Sequence, residues 1–127
     1  MSSGESLNQL ALTLERKTLD LIEAGAWDAL SAMMAPGCQF VTNQGILDKA
    51  QAMTLMQGLR LKDAEIRHLQ ATVCGDALTV SFELSCSEFM HGQWQSKDYR
   101  PRLSVWQKQG AEYLCVAYAD FSQATAA

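Results

Sequence analysis

The chain has 127 residues, of which 48% are hydrophobic and 19% are charged, and its formal net charge is -4 at pH 7. This length predicts one domain spanning residues 1–127, with an ordered part of about residues 5–123, and the composition excludes a disordered chain. An acidic surface is repelled by phosphate backbones and anionic lipid, so we expect neither nucleic acid nor a membrane as a partner.

The first half of the chain predicts three helices. Residues 5–24 place leucines and an isoleucine on one stripe, which includes Thr18 and leaves Glu15 largely outside with other charged residues. Gly25 is placed to end this helix, and a second helix runs from Trp27 until Pro36-Gly37 stops it.

A short strand and a third helix complete this half. Residues 38–45, CQFVTNQG, predict a β-strand that closes in a turn. Asp48 then fits the N-cap of a helix that ends near Gly58.

From about residue 62 the hydrophobic period changes to two, which is typical of strands. Two strands joined at Gly75-Asp76 are followed by YRPRLSVWQ and YLCVAYADF, joined at KQGAE. Helices followed by antiparallel strands predict an α+β fold, and long strands that twist around helices leave a concave side.

The N-terminus and the cysteines bear on the cellular location. The stretch MSSGESLNQLALTLERK lacks the pattern of a secretory signal, and no apolar run reaches membrane-spanning length. The four cysteines are far apart without a C-x-x-C pair, which argues against a zinc ribbon or a redox motif. We therefore expect a cytoplasmic protein with reduced thiols.

The order of elements resembles that of the nuclear transport factor 2-like superfamily and, within it, the SnoaL-like branch of small bacterial proteins. The segments that carry the resemblance are LDLIEAGAWDALSAMMAPGCQFVTNQGILDKA, CGDALTVSF and LSVWQKQGAEYLCVAYADFSQ, within about residues 7–122. It implies a single domain with a cystatin-like cone, in which three N-terminal helices pack on a strongly curved, mostly antiparallel sheet. It also implies a homodimer formed through the outer face of the sheet.

The superfamily contains several kinds of enzyme as well as association domains, so the fold does not decide the activity. Ketosteroid isomerases in it need an aspartate base and an oxyanion hole made of a tyrosine and a protonated aspartate. Thr42 is at the position of the base and Thr18 at that of the tyrosine, and the position of the protonated aspartate falls near Arg102. We therefore do not expect steroid isomerisation by that mechanism.

The resemblance implies that the even-numbered residues of the last hairpin line the cone. With Thr18 and Thr42, the predicted ligand pocket comprises Arg102, Ser104, Trp106, Val116, Tyr118 and Asp120. A turn centred near residue 110 would place Trp106 opposite Leu114, Arg102 opposite Tyr118, and Arg100 opposite Asp120.

Two interpretations of Asp120 remain open. In the first, Asp120 is the catalytic residue and acts as a general base, while Tyr118 and Arg102 donate hydrogen bonds to an oxyanion. Alternatively, it forms a cross-strand ion pair with Arg100 or Arg102. Glu88 either points into the pocket beside Asp120 or lies in solvent.

No motif indicates a metal or a cofactor, and we expect none. His68 and His91 have no ligand-like neighbours in the sequence. A nucleophilic Cys86 assisted by His91 is conceivable, although a buried, inert thiol is the commoner state.

Three hypotheses for the function follow. The first is a SnoaL-like homodimer that holds a small apolar or aromatic molecule in its cone. The second is a cofactor-free lyase, isomerase or hydrolase that uses Asp120. The third is a protein-association module.

Overall fold

The computed structural model describes residues 3–90, 92–94 and 97–121. This part of the chain forms three helices and a seven-stranded sheet. The helices are α1 Ser3–Ala24, α2 Trp27–Ala32 and α3 Lys49–Gln57. The strands are β1 Met34–Thr42, β2 Gly45–Leu47, β3 Arg60–Cys74, β4 Ala77–Met90, β5 Gln93–Trp94, β6 Arg100–Gln109 and β7 Glu112–Asp120. The α+β fold predicted from the sequence is confirmed.

Local signals fix the ends of α1 and α3. Gly25 adopts a left-handed φ of 69°, and the Ala26 N–H donates to the Leu21 carbonyl at 2.9 Å, as in a Schellman C-cap. At the start of α3, the Asp48 carboxylate accepts from the Gln51 N–H at 2.8 Å. The Gln51 side chain in turn accepts from the Asp48 N–H at 2.9 Å, which completes a capping box.

The second helix is shorter than predicted, because the chain enters the sheet at Met34. Met34 pairs in parallel with Cys115, and the pairing of β1 with β7 then shifts register before Gln39. Pro36 lies in this irregular stretch, where a missing backbone N–H is tolerated. It therefore does not mark the boundary of a helix.

The sheet has the strand order β2-β1-β7-β6-β4-β3, with β5 paired to β4. The pairing of β1 with β7 is parallel and the others are antiparallel. The predicted turn at Gly75-Asp76 is present, since Cys74 pairs with Ala77 across it.

The last hairpin has a different register from the one predicted. Gln109 pairs with Glu112, so the turn is centred between residues 110 and 111 and not on residue 110. In addition, Val105 pairs with Ala117 and Trp106 with Cys115, which leaves Val116 as a bulge in β7. As a result Trp106 pairs with Cys115, Ser104 with Tyr118, and Arg102 with Asp120. The predicted partners Leu114 for Trp106, Tyr118 for Arg102 and Asp120 for Arg100 were therefore wrong.

The helices cover one face of the sheet. Arg16 on α1 donates to the Ala64 carbonyl on β3 at 2.7 Å, and the Asn8 side chain accepts from the Ala71 N–H at 3.0 Å. Even-numbered side chains of β4 and β6 point toward the helices, because successive residues of a strand face opposite sides. Those most deeply buried are Leu78, Val80, Ser104 and Trp106.

Candidate functional site

A cavity of about 140 Å³ lies between the helices and the inward face of the sheet. All three helices and several strands contribute to its wall, which is mostly aliphatic and aromatic. Leu19, Leu30, Phe40, Phe82 and Tyr118 are among the lining residues. Polar atoms reach this wall at only a few places, as is usual in small-molecule sites.

Glu15 is the most deeply buried charged residue in the wall, with 2% of its surface exposed. Its Oε2 atom accepts hydrogen bonds from the Ser104 hydroxyl and from the Trp106 indole N–H, the latter at 2.8 Å. Burial raises the pKa of Glu15 above its ordinary value, and the two donated hydrogen bonds oppose that rise. The carboxyl group thus has a fixed position and a proton affinity set by its dry surroundings.

Arg102 and Asp120 form an ion pair on neighbouring strands at the same wall. The Arg102 side chain is 5% exposed, whereas that of Asp120 is 24% exposed. The pair is therefore buried on its cationic side and reaches solvent on its anionic side. Of the two interpretations of Asp120, the cross-strand ion pair is the one that the structure contains.

Tyr118 lies across from Ser104 and also faces the cavity. Its ring centroid is 6.3 Å from that of Phe40. Burial raises the pKa of Tyr118, so its hydroxyl keeps the proton and can donate a hydrogen bond. Glu88 reaches the wall from β4, and its Oε1 atom accepts a weak hydrogen bond from the Cys86 thiol at 3.5 Å.

Six of the eight predicted pocket residues line this cavity. They are Thr18, Thr42, Arg102, Trp106, Tyr118 and Asp120. Ser104 is fully buried and acts through its hydrogen bond to Glu15. Val116 is absent from the described lining, because the bulge in β7 turns Cys115 toward the cavity in its place.

The two threonines have hydroxyl groups already engaged by nearby backbone. Thr18 donates to the Leu14 carbonyl at 2.8 Å. Thr42 donates to the Gly45 carbonyl at 3.2 Å and accepts from the Gln44 N–H at 3.0 Å. Both shape the wall of the cavity, and Thr42 also closes the turn between β1 and β2.

Glu15 and Cys115 line the cavity but were not predicted from the sequence to do so. Glu15 was assigned to the exposed side of α1, and this was wrong. The signal was present in the spacing, since Ala11, Glu15 and Leu19 are four residues apart and are the three most buried residues of the helix. A carboxylate at the centre of such a stripe indicates a buried role.

Of the two histidines, His68 is among the described residues. It contacts Glu83 on the exposed surface. His91 lies outside the described residues, and so does the conceivable assistance of Cys86 by His91. Burial raises the pKa of Cys86 to about 12, so the thiol stays protonated at neutral pH.

Within the described ranges, no three His, Cys, Asp or Glu side chains are grouped to hold a metal ion. None of the helices described is both long and apolar enough to cross a membrane.

Comparison with known proteins gives matches in structure but not in sequence. No protein-family model matches the chain, and no functionally curated protein matches its sequence. An NTF2-like protein from Cytophaga hutchinsonii superposes with a TM-score of 0.82 at 14% identity, over 97% of this chain and 100% of that one.

Two other solved structures are similar over most of their length. The association domain of CaMKII from C. elegans has a TM-score of 0.77 at 11% identity, over 94% of this chain and 98% of that one. An NTF2-like protein of unknown function in nutrient uptake from Rhodospirillum rubrum has a TM-score of 0.78 at 17% identity, over 86% and 94%. The chain therefore has the nuclear transport factor 2-like fold, with its cystatin-like α+β architecture.

Proposed function

We propose that this protein binds a small apolar or aromatic molecule in the cavity between its helices and its sheet. The cavity of about 140 Å³ with a mostly apolar wall is the observation that carries the proposal. An engineered apolar cavity of about 150 Å³ in another protein stays dry and binds benzene. The expected ligand is therefore the size of a single ring.

Toluene titration tests this proposal directly. Ala52 on α3 is 3% exposed and lines the cavity, so the Ala52→Leu variant fills part of the space. Ala50→Leu is the matched control, because Ala50 is exposed on the same helix. We expect calorimetry to detect toluene binding by the native protein and by Ala50→Leu, and its loss in Ala52→Leu.

Ala52→Leu must still unfold cooperatively on heating, so that the loss of binding belongs to a folded protein. Its melting temperature can fall, because an added side chain in a packed interior costs about 1 to 3 kcal/mol. Absence of toluene binding by the native protein at millimolar concentrations would contradict the proposal. Equal binding by Ala50→Leu and Ala52→Leu would place the ligand elsewhere.

Four further features of the protein belong to the same proposal. We infer a single SnoaL-like domain over residues 1–127, a sheet curved into a cone, a cytoplasmic location and a homodimer. An outer patch on the sheet face opposite the helices supports the homodimer. It consists of Val41, Leu103, Val105, Ala117 and Ala119, which are neighbours across β1, β7 and β6. Sedimentation as a monomer at micromolar concentration would contradict the dimer.

The likeness to an association domain favours a protein-association module as the second candidate function. A cavity with room for a ligand argues for binding as the main role, since an association module needs no internal space. Catalysis by Asp120 receives less support, because Arg102 engages the carboxylate that would accept a proton.

A further inference from the structure

The charged groups in the cavity wall are not balanced. Three carboxyl groups, Glu15, Glu88 and Asp120, line the cavity together with one guanidinium group, that of Arg102. Arg102 pairs with Asp120, and no described cation forms a salt bridge with Glu15 or Glu88. When Glu15 is ionised, this wall therefore carries excess negative charge.

Glu15 has one oxygen available to a ligand. Oε2 is occupied by Ser104 and Trp106, whereas no described residue forms a hydrogen bond to Oε1. A carboxylate that is 2% exposed and has no cationic partner is costly to ionise. A cation arriving in the cavity would provide the missing charge.

The groups around Glu15 also suit a cation. The Trp106 indole lies against Glu15 through its 2.8 Å hydrogen bond and lines the same cavity, as does Tyr118. Aromatic faces attract ammonium groups through their quadrupoles. A carboxylate ligand would instead meet the excess of acidic groups.

We propose that the cavity selects single-ring molecules that carry a protonated amine, with the ammonium group donating to Oε1 of Glu15. The ring occupies the apolar part of the cavity between the helices and the sheet. This inference rests on the proposed function, since it presumes that the cavity admits a ring.

Three probes of similar size test it: toluene, benzylamine and benzoate, titrated separately by calorimetry at pH 7. Hydrogen bonds to charged groups contribute about 1.5 to 3 kcal/mol, so benzylamine should bind about ten- to a hundredfold more tightly than toluene. Benzoate should bind more weakly than toluene.

Glu15→Gln keeps the shape of the side chain and an oxygen that can accept from Ser104 and Trp106. In this variant the preference for benzylamine should fall to less than about threefold, while toluene binds as before. Glu23→Gln is the matched control, because Glu23 is exposed on the same helix and its loss changes the net charge equally. It should keep the full preference.

A second readout remains usable if Glu15→Gln does not fold. The indole N–H of Trp106 is bonded to Glu15, so its proton resonance in the native protein should move with benzylamine and much less with toluene. Toluene and benzylamine both failing to bind would overturn the proposed function together with this inference. Toluene binding without a preference for benzylamine, or a preference that survives in Glu15→Gln, would overturn only the inference.

Discussion

The ion pair between Arg102 and Asp120 gives a quantitative prediction about stability. Replacing Asp120 by alanine removes the carboxylate that pairs with the Arg102 guanidinium, which is 5% exposed. Breaking a fully buried pair costs about 3 to 5 kcal/mol. Asp120 itself is 24% exposed, so water offsets part of this cost, and we expect the free energy of unfolding to fall by about 2 to 3 kcal/mol.

The melting temperature of a domain of this size changes by about 3 to 5 °C for each kcal/mol, so Asp120→Ala should melt about 6 to 15 °C lower. Arg102→Met should be destabilised to a similar extent, because it removes the guanidinium that pairs with Asp120. The double variant Arg102→Met/Asp120→Leu places apolar groups on both strands and should lose less than the two single variants together.

Urea unfolding at pH 7 of the native protein, both single variants and the double variant measures this coupling as a double-mutant cycle. Lys108→Met is the control, since Lys108 is exposed on the same strand as Arg102, and it should change stability by less than about 0.5 kcal/mol. Single-variant losses below about 1 kcal/mol that simply add in the double variant would refute the idea that this pair stabilises the fold.

Two further predictions concern Glu15 and the cysteines. Because the pKa of Glu15 is raised, the folded protein binds a proton there more tightly than the unfolded chain does. This contribution to stability is complete below the ordinary pKa of 4.5 and is lost as the pH rises through the pKa of the folded state. Unfolding free energies measured from pH 4 to pH 8 should therefore decline in the native protein relative to Glu15→Gln, and parallel profiles would contradict the burial effect. Cys74 is exposed, whereas Cys38, Cys86 and Cys115 are buried. An aromatic disulfide reagent at pH 8 should thus modify one thiol rapidly in the folded protein and four in urea, and Cys74→Ser should remove the rapid phase; two or more rapid thiols would argue against this core.

Much of the fold follows from local sequence signals. The left-handed Gly25, the Asp48 capping box and the turn at Gly75-Asp76 depend on residues that are neighbours in the chain. Side-chain direction in a strand has a period of two, which puts Arg102 and Trp106 on the same face of their strand, and the family resemblance implied that this face and Tyr118 point inward.

The chemistry of the cavity depends on contacts between elements that are far apart in the chain. The bulge at Val116 arises in the pairing of β6 with β7, and it exchanges Val116 for Cys115 at the wall. Glu15 meets Ser104 and Trp106 across 89 and 91 positions of sequence, a contact that no local pattern encodes. Sequence periodicity predicts which side chains share one face of an element, but it put Glu15 outside and Val116 inside, and the structure reverses both. The packing of α1 against the sheet sets which side chains meet, because contacts depend on the register and placement of elements far apart in the chain.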